Sequence, residues 1–197
     1  MTVMLGVERP FSGDVVGAYG EGYRAPLIAS APPVAQSIPL TSIGATALTT
    51  VTATIHCSSI IMPMNQPISK IVTCPTVAGT VTGFWVALLD AGLIVRAVST
   101  NQTVVTTGYW SLPIVTGAVP YTTTYSGLFY VAVGTVSTVA PQLAALGALP
   151  SVAAVSGPPV LCGTSATAAT TTPPAVGTAL GALTGVATNE FYAAAYV

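Results

Sequence analysis

From about residue 49 the chain alternates apolar and polar side chains with a period of two, the spacing of a half-buried β-strand. In TTVTATIHCSSIIM, residues 49–62, Val51, Ala53, Ile55 and Cys57 fall on one face, and Thr50, Thr52, Thr54 and His56 on the other. PISKIVTC, 67–74, reads as a second strand. GFWVALLD, 83–90, is apolar on both faces, as a strand in the middle of a sandwich would be. The turn DAG, 90–92, joins it to LIVRAVS, 93–99, and predicts a hairpin. TGYWSLPI, 107–114, and SGLFYVAVGTVSTV, 126–139, follow, with Phe129, Val131 and Val133 opposing Leu128, Tyr130 and Ala132. NEFYAAAYV, 189–197, closes the series. β-Branched and aromatic residues dominate these runs, and Gly, Pro and Thr break them. The pattern predicts an all-β protein: an antiparallel β-sandwich or jelly roll over residues 49–197.

Two stretches lack the alternation. Residues 1–48 hold scattered glycines, then Pro32, Pro33 and Pro39 in APPVAQSIPL. Proline favours extended chain, so this part reads as an extended N-terminal attachment arm. Residues 140–188 are rich in Ala, Thr, Gly and Pro, as in TSATAATTTPPAVGTALGALTG. A loop that long is unusual inside a compact domain. Either it hides short strands or a helical turn (PQLAALGAL), or it is an extended excursion over another subunit. The second alternative is preferred, because an uncharged apolar segment is ill suited to free solvation.

Composition sharpens this picture. Hydrophobic residues make up 52% of the 197, charged residues only 5%, and the net charge is -1. Between Arg96 and Glu190 no residue is charged. Ordinary domains carry about 25% charged residues. Without clustered Lys and Arg there is no handle for nucleic acid or for anionic lipid, so neither is expected as a partner. The longest apolar run, 139–163, contains Pro141, Pro150, Pro158 and Pro159, which argues against a spanning helix. MTVMLGVERPFSGD has neither a basic start nor a long apolar core, and no secretory signal is expected.

The search for chemistry yields little. The single histidine, His56, points away from its neighbour Cys57 on a strand, so the two cannot act together. Cys57, Cys74 and Cys162 show no CxxC spacing. They read as buried thiols, with a Cys57–Cys74 bridge left open and no metal expected. Asp90 and Glu190 are the only acids outside the arm. Asp90 sits where a turn favours Asp, and Glu190 opens the last strand, so both read as structural rather than as a hydrolytic pair. No phosphate-binding glycine motif occurs. No cofactor and no enzymatic activity are expected. The aromatics of the middle third remain. Trp85, Tyr109, Trp110, Tyr121 and Tyr125 are the candidate glycan or subunit contacts, since Trp and Tyr offer an apolar platform with a polar rim. In each adjacent pair, Phe84–Trp85 and Tyr109–Trp110, one ring is expected in the core and the other outward or at an interface.

GFWVALLDAGLIVRAVSTNQ, GYWSLPI and YTTTYSGLFYVAVGTV together resemble a β-sandwich module of structural proteins from tailed phages that infect high-GC Gram-positive bacteria. Trp85, Ala87, Leu88, Asp90, Ala97, Ser99, Ser126, Gly127, Leu128, Phe129, Tyr130 and Val131 carry the likeness, over residues 83–139. SGLFYVAV is also similar to a strand of C1q-like jelly-roll trimer domains. The resemblance implies a virion-surface protein: a capsid decoration protein, head fibre or minor tail protein, often trimeric, assembled in the host cytoplasm beside major capsid or tail proteins. It brings no catalytic residues. The expectation is a homotrimeric decoration protein, with a tail-tip protein binding host glycan as the alternative.

Overall fold

The computed structural model describes residues 33–39, 43, 47–117, 119–146, 162–184 and 190–197. The expected arm up to residue 32 therefore lies outside the described residues. Every regular element in the described part is a strand: β1 Ala35–Gln36, β2 Ala47–Thr49, β3 Thr54–Met62, β4 Pro67–Ile68, β5 Lys70–Thr73, β6 Pro75–Val77, β7 Thr80–Asp90 and β8 Val95–Val98 in the first half. The second half adds β9 Trp110–Pro113, β10 Tyr121–Thr122, β11 Gly127–Val139, β12 Gln142–Leu146, β13 Cys162–Ala168, β14 Leu183–Thr184, β15 Glu190–Phe191 and β16 Ala193–Tyr196. The pairings are antiparallel throughout.

A six-stranded sheet in the order β14-β13-β3-β11-β7-β8 forms the centre. Its long strands β7 and β11 bury apolar side chains on both faces, as the unbroken run at 83–90 predicts. On the first face Phe84, Val86, Leu88, Phe129, Val131, Val133, Ile60 and Met62 form the larger core. Ile71, Leu112, Leu143, Phe191, Ala193 and Ala195 meet them from the opposing layer. That layer comprises a sheet β1-β16-β5-β9 and a sheet β15-β12-β2, to which β6 adds through β12. On the second face Trp85, Ala87, Leu89, Tyr130, Ala132, Ile55, Cys57 and Val95 form a smaller core closed by Ala169 and Leu180. A bulge in β7 at Thr82 resets the alternation, so Val81 and Phe84 share the first face.

Three sequence expectations change. First, residues 49–57 are not one strand. The chain turns at 50–53, with Ala53 left-handed at φ 58, and the strand begins at Thr54. Thr50 is buried and donates to the Pro141 carbonyl, while Val51 is exposed. A turn without Gly or Pro preserved the period across it. Second, the sandwich begins before residue 49. Ala35 and Gln36 pair with Ala195 and Ala194, and Ala47–Thr49 pair with β12. Third, over its described residues the stretch 140–188 is neither an excursion nor helical. PQLAAL contributes strand β12, and 162–184 supplies β13, β14 and the cover of the second core. The Leu180 amide donates to the Leu93 carbonyl at 3.0 Å, the Val95 amide donates to the Thr178 carbonyl at 2.9 Å, and the Gly177 amide donates to the Val95 carbonyl at 2.8 Å. Small Ala and Thr side chains let this segment lie close against the sheet.

Among the described glycines the tightest fit is at Gly134, under the ring of Trp85, its cross-strand partner on β7. A β-carbon at Gly134 would fall 2.2 Å from the indole carbons. The ring cannot retreat, because its Nε1–H donates to the Thr170 carbonyl at 2.9 Å and the residue is 1% exposed. Gly134→Ala is therefore expected to destabilise the fold by about 3 kcal/mol, a Tm fall of roughly 6–12 °C. Adding Trp85→Phe should recover part of that loss, so the double variant melts above the sum of the single effects. Strictly additive losses would show that the two residues do not compete for this space.

Candidate functional site

A site in this fold would be built from its buried polar groups. Asp90 ends β7 and opens the hairpin to β8. Its Oδ1 accepts the Gly92 and Ile94 amides at 2.9 and 3.0 Å, and its Oδ2 accepts Arg96 Nε at 2.9 Å together with Arg96 Nη2. Arg96 is the extra residue of a bulge in β8, since Leu88 pairs Ala97 while Leu89 pairs Val95. That bulge turns the guanidinium back onto the carboxylate. The predicted turn is real, but the left-handed position falls on Leu93, at φ 61, rather than on Gly92. With both oxygens engaged, Asp90 is a turn clamp, as its place in the sequence suggests.

Glu190 lies elsewhere, against β3. Ser58 Oγ and Ser59 Oγ reach its Oε1 at 3.1 and 3.3 Å, and Ser58 Oγ also reaches the Phe191 carbonyl at 3.1 Å. Burial raises this carboxyl from 4.5 to about 7, and the two serine hydrogen bonds pull it back. Strand β11 separates the strand of Asp90 from that of Ser58, which puts them about 10 Å apart across the sheet. The two acids therefore do not share a site.

His56 is buried. Its Nε2 accepts the Val51 amide at 3.2 Å, which leaves the proton on Nδ1, and Nδ1 has no partner. Burial lowers its pKa. Cys57 packs in the second core, on the other side of β3 from His56, and burial pushes its thiol up to about 12. Cys162 is raised to about 11, by burial and then by the charge of Glu190. Cys57 and Cys74 form no bridge. Among the described residues no three His, Cys, Asp or Glu side chains converge, and no helix is long and apolar enough to cross a membrane.

The five aromatic candidates do not form one platform. Trp85 is a core residue and not a glycan or subunit contact: both rings of the pair Phe84–Trp85 are buried, one on each face of the central sheet, where only one was expected in the core. Trp110 is half-buried, its ring 5.0 Å from Phe84. Tyr121 is buried, edge-on to Phe129 at 6.4 Å. Tyr125 stacks on the same Phe129 at 4.5 Å, while its hydroxyl accepts the Ala91 amide at 3.0 Å and donates to Leu128 O at 2.7 Å. It thus ties the β7–β8 turn to the start of β11. Only Tyr109 of the five is exposed, at 47%, edge-on to Tyr192 at 6.3 Å. The serine pair around Glu190 escaped the sequence reading, because nothing in SS at 58–59 marks two hydroxyls as partners of an acid more than a hundred residues away.

The class these features define is an all-β sandwich whose buried polar groups brace turns and strand crossings. Comparison with family models, curated proteins and solved structures gives no match.

If Asp90 is a clamp, Asp90→Ala should lower stability by about 2–3 kcal/mol, since two amides and a guanidinium lose their acceptor. Asp90→Asn should cost less than Asp90→Ala, because the amide oxygen still serves Gly92 and Ile94. Denaturant melts check the order, and equal losses for the two variants would argue against the clamp.

Proposed function

We propose that this chain is a non-enzymatic structural subunit that works packed against other copies and other proteins, as a capsid decoration protein on a tailed-phage particle. The observation that carries this reading is the fate of the charges. Among the described residues four side chains are formally charged: Asp90 and Arg96 pair with each other, Glu190 is buried, and Lys70 lies 5.6 Å over the Tyr196 ring. Meanwhile Ile61, Val104 and Val119 stand 68%, 72% and 60% exposed. Such a neutral, apolar exterior gives little colloidal repulsion, and it suits an interface, whose centre is depleted of charge. The resemblance of residues 83–139 to virion modules supplies the setting.

Light scattering on the purified chain tests this. The expected mass is a multiple of 19.7 kDa, three copies for the trimer, and Ile61→Lys or Val119→Lys should shift it toward the monomer without lowering Tm. A monomer at every concentration, soluble and stable, would overturn the reading.

The alternative, a minor tail protein that binds host glycan, draws on exposed Tyr109 beside half-buried Trp110. It expects Tyr109→Ala to weaken binding to host cell-wall sugar at least tenfold with the fold intact. Unchanged binding would remove it.

A further inference from the structure

We propose that the Glu190 carboxyl is a pH-operated latch: neutral, it fastens the C-terminal strands β15 and β16 to the central sheet, and ionised, it loosens them. The geometry is that of a carboxyl group carried from the opposing layer onto the middle of β3. Glu190 is 5% exposed. Its backbone pairs with Leu146, the next residue pairs with Ala145, and the Tyr192 amide donates to Ala144 O at 2.8 Å. The chain then crosses to β16, which lies between β1 and β5. The Ala193 amide meets Ser37 Oγ at 2.9 Å and the Val34 amide meets Ala195 O at 2.8 Å. The carboxyl thus sits where the chain passes from one sheet to the next, and the hold on β1 follows from the hold on β16.

The surroundings favour the neutral form. From β3 come Ser58 and Ser59, with His56 two residues before Ser58 on the same side of the strand. From β13 comes the Cys162 thiol, raised by burial and then by the Glu190 charge. Strands β12 and β2 bring no titratable side chain. The only ion pair among the described residues is Arg96 with Asp90. Ionised Glu190 would face two hydroxyls and a thiol, with no cation among the described residues paired to it to offset its lost hydration.

The sign follows from linkage. The folded carboxyl is raised from 4.5 to about 7, so the folded chain keeps a proton that the unfolded chain releases. The stability this carboxyl contributes is full below 4.5, falls as pH rises to about 7, and is lost above that. His56, lowered from 6.5 by burial, acts oppositely: its contribution is lost as pH falls below 6.5. The two limbs overlap, so the test takes the difference between wild type and Glu190→Gln at each pH, where the histidine cancels.

Glu190→Gln should melt within a degree or two of wild type at acidic pH and increasingly above it toward pH 8.5. The divergence should approach about 300-fold in the folding equilibrium. Carboxyl NMR of glutamate-labelled full-length protein reads the same group directly, and needs no variant that folds. One of its three glutamate signals (Glu8, Glu21 and Glu190) should titrate near 7. Ser58→Ala should move that midpoint upward, because a donor to the charged form is gone. Amide exchange corrected for intrinsic rate should show lost protection at Tyr192 and Ala193 in alkali while β7 and β11 keep theirs. All three signals titrating as ordinary carboxylates, a variant that tracks wild type at every pH, or uniform loss of protection would each overturn the latch.

Discussion

The rest of the structure depends on one pair of strands, β7 and β11, being buried on both faces at once. A strand in that position must be apolar at every residue, and the residues that pack against it must come from two separate layers. The first layer is conventional, a set of short strands whose inward residues interdigitate with Phe84, Leu88, Phe129 and Val131. The second is not a regular sheet but a close-lying segment after β13, held by backbone hydrogen bonds to Leu93 and Val95 and by the Trp85 indole on Thr170. Gly134 belongs to the same constraint: the indole occupies the space its side chain would need.

Burial on that scale shapes where polar chemistry can be tolerated. Several of the buried polar side chains stand where the backbone changes course. Asp90 and Arg96 sit at the β7–β8 turn and its bulge, Thr50 and His56 at the turn into β3, and Glu190 at the crossing into β16. Turns and crossings are where amides lose their ladder partners, and a short acidic or hydroxyl side chain is the local substitute. The chain has few acidic and basic side chains, and among the described Asp, Glu, Lys and Arg all but Lys70 serve this purpose.

That logic also explains what could be read from the sequence. The run at 83–90, the hairpin after it and the strand at 126–139 were legible because hydrophobic period and length act locally. The turn at 50–53 was not, since Ala53 takes a left-handed conformation without Gly to announce it and the alternation continues through it. The role of 162–184 was hidden for a related reason. Ala and Thr have no strong period, and beside the scattered Ala169 and Leu180 the segment is held to the sheet by backbone pairing and one indole, neither written in side-chain pattern. Among the aromatics, adjacency on a strand does say that two rings face opposite ways. It does not say whether both faces are buried, and at Phe84–Trp85 they are. The carboxyl partners Ser58 and Ser59 were out of reach because topology alone brings them to Glu190.

The cover supplied by 162–184 bears on assembly as well. A sheet with one bare apolar face would need a second copy in order to fold at all, and folding and association would be one event. Here the chain closes both of its cores with its own residues, so a folded subunit does not require a partner to bury them. What stays uncovered is different in kind: isolated valines and Ile61 at strand ends and loops, with scarcely a charge between them. Such surfaces contribute little to folding but associate readily when they meet a complementary one. In the proposed shell, therefore, the contacts between subunits would lie at the margins of the sandwich rather than across its sheets, and substitutions there should separate association from stability.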